Sequence, residues 1–174
     1  VHHDGLAYIM DSSGIYAFDT NSIEPISLPI QNMWRDGTID LTNHKWFFAG
    51  VDPNDEVVKF YVQFTGDTGT RPKRALCYHT RNKGWWVENY TLEFGGATKA
   101  DIGNSERLLL GAIEDAVYVS GEGFTDNGTT ISYAWRSRKF AVQSNQNHES
   151  RAVEIAFQPT TAAATLNARL YLNN

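Results

Sequence analysis

Apolar and polar positions alternate over short segments of this chain, and the clearest case is KWFFAGVDPNDEVVKFYVQF, residues 45–64. Its second arm divides into two sets of side chains, Val58, Phe60, Val62 and Phe64 on one face and Val57, Lys59, Tyr61 and Gln63 on the other. A period of two predicts a β-strand with unlike faces. The preceding Asp52-Pro53-Asn54-Asp55 is typical of a turn, because proline restricts φ and Asp and Asn side chains bind nearby backbone groups. The stretch therefore predicts a β-hairpin.

The same hairpin pattern recurs elsewhere in the chain. Turns that contain Gly, Asn or Asp are flanked by apolar arms, at 6–10 and 15–18, at 75–78 and 85–87, and at 108–113 and 116–119. In the first of these turns, Gly14 is suited to the positive φ that a tight hairpin requires. Successive turns are separated by roughly 30 to 40 residues, which is close to the repeat length of β-propeller blades.

One short helix is predicted among these strands. Ser27 is a typical N-cap residue, and Pro29 suits the first helical turn. Apolar residues then follow with helical spacing up to Trp34, and Asp36-Gly37 ends the segment. We expect the rest of the chain to be strand or loop.

A linker rich in Gly, Asp and Asn follows Gly121 and leads to a C-terminal part that alternates again, at 131–135, 153–157 and 166–172. With about a dozen strands, the chain is predicted to be all-β, its antiparallel hairpins forming part of a β-propeller with about three blade-like units. We expect residues 1–121 to form the blades. Residues 122–174 are expected to form a C-terminal β segment that closes or follows the propeller.

Aromatic residues make up 13% of the 174 residues, which is a surplus that needs an explanation. Large rings bury much area, so the first interpretation is packing between adjacent blade sheets by Trp46, Trp85, Trp86, Trp135, Phe60 and Phe64. A platform on which sugars stack is the alternative. Because Trp85 and Trp86 are adjacent on a strand, they are expected to point to opposite faces, and one of them is then free to face outward.

The formal net charge of −5 argues against broad nucleic-acid binding, which requires a surplus of Lys and Arg. Basic residues nevertheless cluster in two places, around one predicted turn region (Arg71, Lys73, Arg74, Arg81 and Lys83) and on a later strand (Arg136, Arg138 and Lys139). Contact with phosphate or an acidic partner is one interpretation, and a solvated rim is the other. The candidate interaction residues are Trp85, Trp86, Arg71, Lys73, Arg74 and Arg81.

Patterns that carry chemistry are weak in this sequence. The single cysteine, Cys77, lies in an apolar run and is predicted to be a buried thiol, although it shares a strand face with His79. The stretch Thr65-Gly-Asp-Thr-Gly-Thr70 resembles the structural turn of sialidase-like propellers. The acidic turn at 52–56 lacks the glycine and the terminal glutamate of an EF-hand loop, so a plain hairpin turn is preferred over a calcium site. We predict no catalytic residue, no metal site and no cofactor.

Several stretches resemble a known family, the β-propellers of phage virion proteins in the tail nozzle and head-completion region of short-tailed phages. They are GLAYIMDSSGIYAFDTNSIEPISLPI at 5–30, FAGVDPNDEVVKFYV at 48–62, RALCYHTRNKGWW at 74–86 and TTISYAWRSRKFAVQSNQNHESRAVEIAF at 129–157. The resemblance covers most of the chain. A closed propeller needs at least four blades, so a chain with about three units is expected to be the C-terminal portion of a longer protein.

The resemblance implies a structural role rather than an enzymatic one. It implies that copies of the protein form a ring at the head-to-tail junction of the virion, contact portal, adaptor and tail proteins, and retain or pass packaged DNA with only passive contact. No membrane contact is expected. Two other functions stay open: a carbohydrate- or receptor-binding β module that uses an exposed tryptophan, and a hydrolase whose site is shared with another part of a longer chain.

Overall fold

The computed structural model describes residues 1–121 and 125–130 of the chain. All of them belong to one of the two units into which the chain divides, Val1–Tyr133. The strands predicted at 131–172, Trp135 and the second basic cluster lie outside the described residues.

The first sheet has four antiparallel strands in the order β1-β2-β3-β4. Their bounds are β1 His2–His3, β2 Leu6–Met10, β3 Ile15–Phe18 and β4 Ile23–Pro25. The turn between β2 and β3 is the predicted one: the Asp11 carboxylate accepts the backbone N–H groups of Ser13 and Gly14 at 2.7 and 3.0 Å, and Gly14 has a φ of +155°. The first predicted hairpin is therefore confirmed.

The second sheet is also a four-stranded antiparallel meander, in the order β5-β6-β7-β8. Its strands are β5 Phe48–Asp52, β6 Val57–Val62, β7 Arg74–His79 and β8 Trp85–Asn89. Asp52 pairs with Val57 across the predicted turn, which confirms the hairpin. Its first arm is shorter than the apolar run in the sequence, because Leu41–Trp46 forms a 3₁₀ helix before β5 begins.

The third sheet contains three strands in the order β11-β10-β9. They are β9 Phe94–Ile102, β10 Ser105–Ala112 and β11 Val117–Val119. The hairpin from β10 to β11 was predicted, whereas β9 has few large apolar residues and was not. Two further short strands, β12 Thr125–Asp126 and β13 Thr129–Thr130, pair within the segment predicted to be a linker.

The helical segments differ in part from the prediction. The expected short helix is present as a 3₁₀ turn, Leu28–Ile30, followed by α1, Asn32–Arg35. Ser27 makes no side-chain cap, because its Oγ accepts the backbone N–H of Ile15 at 2.9 Å and so ties the helix to β3. The expectation of only one helix is wrong, since the 3₁₀ helix Leu41–Trp46 has its own N-cap: the Asp40 carboxylate accepts the Thr42 N–H at 2.9 Å.

The second sheet packs against both of the others, one on each face. On one face, Val58 and Phe60 pack in a core with Tyr8 and Ile15 of the first sheet. On the other face, the side chain of Tyr61 packs in a second core with residues of the third sheet, Phe94, Leu108 and Leu110. All six residues of β6 are buried. The face of β6 that carries Lys59 is therefore buried as fully as the wholly apolar face.

The described residues thus form three successive antiparallel meanders that pack face to face in chain order. The all-β prediction is confirmed. The sheets of the described part form no closed ring, and the propeller arrangement remains a prediction.

Close approach of the second and third sheets depends on a glycine. A Cβ at Gly50 would lie 2.7 Å from Cδ1 of Leu108 and 2.9 Å from Cβ of Ala97. We expect Gly50→Ala to lower the free energy of unfolding by about 1–3 kcal/mol, because overpacking forces the sheets apart. Gly96→Ala is the matched control, since no heavy atom lies within 4 Å of its added Cβ. Urea unfolding measures both, and equal stability of the two variants would contradict the close approach.

Candidate functional site

The adjacent tryptophans of β8 point to opposite faces of the second sheet, as predicted. Trp85 belongs to the core against the first sheet, with its ring centroid 4.8 Å from that of Tyr78 and its Nε1 donating to the Ile26 carbonyl at 3.1 Å. Trp86 is 40% exposed, and its Nε1 donates to Oε1 of Glu88 at 3.2 Å. Trp86 is therefore the more exposed ring of this pair.

Three of the four basic candidate residues lie at one end of the second sheet. The guanidinium of Arg71 lies 3.2 Å from the centroid of the Trp46 ring. Lys73 Nζ is 3.6 Å from Oε1 of Glu93. Arg74 donates to the Asp67 carboxylate through Nε at 3.0 Å and through a terminal nitrogen at 2.7 Å.

Arg81 is separated from those three residues. It pairs with Glu56 beyond the far end of β7, because β7 carries the chain from Arg74, opposite Val62, to His79, opposite Val57. The structure does not bring the predicted cluster together around one turn. Each cation also has a carboxylate or an aromatic ring beside it within the chain, which reduces the positive charge that an outside phosphate would meet.

The turn at 65–70 is structural, as its sequence indicated. Oδ2 of Asp67 accepts the backbone N–H of Phe64 at 2.9 Å, and the same carboxylate holds Arg74. Burial by itself raises the pKa of Asp67, but the hydrogen bonds from Arg74 and Phe64 outweigh it and hold that pKa below the usual value.

Asp67→Asn is expected to lower the free energy of unfolding at neutral pH by about 1.5 kcal/mol, the lower part of the range for hydrogen bonds to charged groups. The low value is chosen because the Arg74 side chain is 33% exposed. A lowered carboxyl pKa stabilises the fold above the unfolded pKa, and this stabilisation disappears as pH falls through the folded pKa. Urea unfolding should therefore show the two proteins converging below about pH 4. A constant difference at all pH values would contradict the ionic origin.

The acidic turn at 52–56 does not assemble its oxygens around a common point. Asp52 faces Lys59, the Asn54 amide donates to the Glu106 carbonyl at 2.9 Å, and Glu56 pairs with Arg81. Among the residues that the structure describes, no group of three or more His, Cys, Asp or Glu side chains is placed to hold a metal ion.

Cys77 is buried, as predicted, and burial raises the pKa of its thiol well above the ordinary value. The other member of the considered pair, His79, accepts the backbone N–H of Arg81 through Nδ1 at 3.2 Å. This hydrogen bond gives the His79 ring a local structural role in the turn that follows β7.

An ionic cluster that was not predicted from the sequence surrounds Lys59, between the second and third sheets. Lys59 Nζ lies 3.0 Å from Oε2 of Glu88 and 3.7 Å from Oδ2 of Asp52, and it donates to Oγ of Ser120 at 3.1 Å. Lys59 is 5% exposed and Asp52 is 3% exposed. A lysine and an aspartate are seldom buried to this extent unless each has a partner.

The β ladder explains how residues distant in sequence meet here. Lys59 pairs with Gly50 and with Cys77, while Asp52 pairs with Val57, so Asp52 is a diagonal neighbour of Lys59 on the same face. Glu88 reaches the same face from β8, and Ser120 comes from the third sheet. The only available sequence signal was a lysine inside an otherwise apolar alternating strand.

Burial and neighbouring charges shift the pKa values of the three ionisable groups in this cluster in different directions. For Glu88, burial raises the pKa, but the Lys59 ammonium and hydrogen bonds from Tyr90 and Trp86 produce a net decrease. For Lys59, burial opposes the charged form, but Glu88 more than compensates, and the pKa is raised. For Asp52, burial dominates over the attraction of Lys59, and the pKa is raised. Lys59 and Glu88 are therefore the charged pair, and Asp52 is the carboxyl group closest to neutrality.

Aromatic rings pack on the same side of the second sheet as the cluster. The rings of Phe48 and Tyr61 stack with their centroids 4.6 Å apart, and Tyr90 meets Phe94 edge to face at 5.2 Å. The Tyr90 hydroxyl donates to Oε2 of Glu88. Packing between sheets thus accounts for Phe60 and Trp85, as predicted. The same prediction is wrong for Trp46 and Trp86, which are 37% and 40% exposed.

The fold and the site define an antiparallel all-β protein made of stacked sheets, with a buried lysine–carboxylate cluster between two of them. No protein-family model matches the chain, and no curated protein matches its sequence. In the described part of the chain, no helix combines the length and the apolar character that a membrane span requires.

Proposed function

We propose that this chain is a structural module of a phage virion, part of a β-propeller in the tail nozzle or head-to-tail junction, which acts by assembly and not as an enzyme. The observation that carries the proposal is the succession of antiparallel meanders stacked face to face in chain order. Propeller blades are four-stranded antiparallel sheets in radial succession, and two of these three sheets have four strands. The resemblance in sequence supports the same assignment.

The outer face of the first sheet also supports a role in assembly. Ile9, Phe18 and Ile23 are exposed on the side opposite the core residues Tyr8 and Ile15. Contiguous exposed apolar surface marks sites of protein contact. In the proposed arrangement a further blade or a neighbouring copy covers this face, in the way that the first sheet covers the second.

The proposed partners are other copies in a ring, together with portal, adaptor and tail proteins of the virion. Packaged DNA would pass through the channel of such a ring. The formal net charge of −5 suits a conduit along which DNA slides without adhering.

Light scattering coupled to size exclusion, with negative-stain images of the same fractions, tests the proposal on the native gene product that contains this chain. We expect rings of many copies or binding to a purified portal assembly. Ile9→Asp is expected to weaken assembly, and Leu28→Asp is the control, because exposed Leu28 lies in a 3₁₀ helix outside that face. A stable monomer that does not bind the portal assembly would overturn the proposal.

A second candidate function is carbohydrate binding, which the exposed ring of Trp86 favours. Beside it is an apolar cavity of about 120 Å³ lined by Ile30, Met33, Leu76, Trp85, Trp86 and Val87. Sugars stack on such rings, so a glycan array should show binding that Trp86→Ala abolishes and that Val117→Ala, at an exposed residue of β11 that does not line this cavity, leaves intact. An array without signal would remove this candidate.

A further inference from the structure

The buried cluster places an amine, a carboxyl group and a second carboxylate in contact inside the protein. These are the groups needed to condense a lysine with an aspartic acid. We propose that Lys59 and Asp52 become joined by an intramolecular isopeptide bond, which the chain forms by itself with Glu88 as the catalytic carboxylate.

The two reacting side chains are held close together by the hairpin. Lys59 Nζ lies 3.7 Å from Oδ2 of Asp52, so the amine is beside the carboxyl group whose Cγ it would attack. Both residues project from paired strands, and both are almost fully buried. The strand ladder therefore removes most of the orientational entropy that a condensation in solution would lose.

The environment favours the reactive protonation state of the Asp52 carboxyl group, whereas the Lys59 ammonium must first transfer a proton. Condensation requires a neutral amine and a neutral carboxyl group. Burial raises the pKa of Asp52, which favours its protonated form. Glu88, whose Oε2 is 3.0 Å from Lys59 Nζ, is the base in contact with the ammonium. The burial of Lys59 and Asp52 also limits hydrolysis of the product.

The reaction is balanced with no added reagent. The Lys59 ammonium gives one proton to the Glu88 carboxylate, and the amine lone pair attacks Cγ of protonated Asp52 to form a tetrahedral intermediate. The nitrogen then loses a second proton, which reaches the departing hydroxyl through Glu88, and the C–O bond breaks. The products are the Lys59–Asp52 amide and one water, with Glu88 left protonated until it releases its proton to solvent.

Neighbouring groups keep Glu88 and Lys59 in position. The Trp86 indole and the Tyr90 hydroxyl donate to the two oxygens of Glu88, while Ser120 Oγ accepts from Lys59. These three are positioning residues, because they touch the catalytic carboxylate or the amine but not the Asp52 carboxyl group.

The chain contains a natural control for proximity alone. Lys99 and Glu106 form an ion pair at 3.3 Å between paired strands, but their side chains are 39% and 48% exposed. This pair lacks the burial on which the proposed condensation depends, so we expect no bond there.

Mass spectrometry of the purified, denatured full chain tests the inference. We expect an intact mass lower than the sequence mass by one water. Trypsin should fail to cleave after Lys59, so a peptide spanning 46–73 should carry the loss and its fragments should place the link between Asp52 and Lys59. Succinimide formation cannot explain a loss at Asp52, because Pro53 lacks the N–H that ring closure needs. A full-mass chain that trypsin cleaves after Lys59 would overturn the proposal.

Two variants test the leaving group of the condensation and the role of Glu88. Asp52→Asn should release ammonia instead of water and reach the same final mass as the cross-linked parent chain. Glu88→Gln keeps the shape of the side chain but cannot take the proton, so it should retain its full mass while circular dichroism shows an unchanged β signal. A linked Glu88→Gln chain would overturn the role of Glu88, and an unlinked, folded Asp52→Asn chain would overturn the condensation. The bond is independent of the proposed assembly.

Discussion

Phe60→Ala is expected to lower the free energy of unfolding by about 3–5 kcal/mol, among the largest losses for truncation of a single core residue. Phe60 is fully buried at the centre of β6, in the core shared by the first and second sheets, and its ring centroid lies 6.2 Å from that of Trp85. The truncation removes apolar contacts with both sheets and leaves a cavity that the paired strands cannot close.

Phe18→Ala is the matched control for this loss, because Phe18 is a strand residue of the first sheet but lies on its exposed face. Its expected effect is at most about 0.5 kcal/mol. Urea unfolding of the purified chain measures both variants. If Phe60→Ala were no more harmful than Phe18→Ala, the face-to-face packing of the first two sheets would be wrong.

Lys59→Met is the second change for which we expect a large effect, a loss of about 3–5 kcal/mol at neutral pH. Methionine fills a similar volume but leaves the buried Asp52 and the partly buried Glu88 without a cation. The expectation refers to Lys59 as an ammonium, the form in which it is the cationic partner of both carboxyl groups.

The loss in Lys59→Met should depend on pH. Without the cation, burial raises the pKa of both carboxyl groups above the unfolded values, and such groups stabilise the fold at low pH and lose that contribution as pH rises. In the parent chain the pKa of Glu88 is lowered, so this carboxylate stabilises the fold at neutral pH and loses that contribution as pH falls. The difference should therefore shrink between about pH 7 and pH 4. Lys99→Met, in the exposed pair with Glu106, is the control, and a loss independent of pH would assign the effect to packing.

Local chemistry explains which elements could be predicted. The turn at Asp11–Gly14 forms because an Asp side chain accepts two backbone N–H groups and a glycine accepts a positive φ, and both requirements are visible in the sequence. The alternation in β6 and the opposite directions of Trp85 and Trp86 follow from the two-residue period of a strand.

Elements that form because a neighbouring strand pairs with them could not be predicted from the sequence. β9 contains Gly95, Gly96 and several small or polar residues, and it is a strand because β10 pairs with it along its length. The predicted basic cluster does not form, for a related reason. A strand advances about 3.3 Å per residue, so Arg74 at the start of β7 and Arg81 beyond its end are far apart although they are close in sequence.

The all-β class and the positions of most hairpin turns can be predicted from the sequence, because each depends on neighbours within a few residues. The burial of both faces of β6, and the meeting of Asp52, Lys59, Glu88 and Ser120, follow from how the sheets pack. Those contacts join strands of two sheets, and no local pattern specifies which sheet will cover a given face. The chemistry proposed for this protein therefore arises from sheet packing, which places a lysine and two carboxyl groups together in a space that excludes most water.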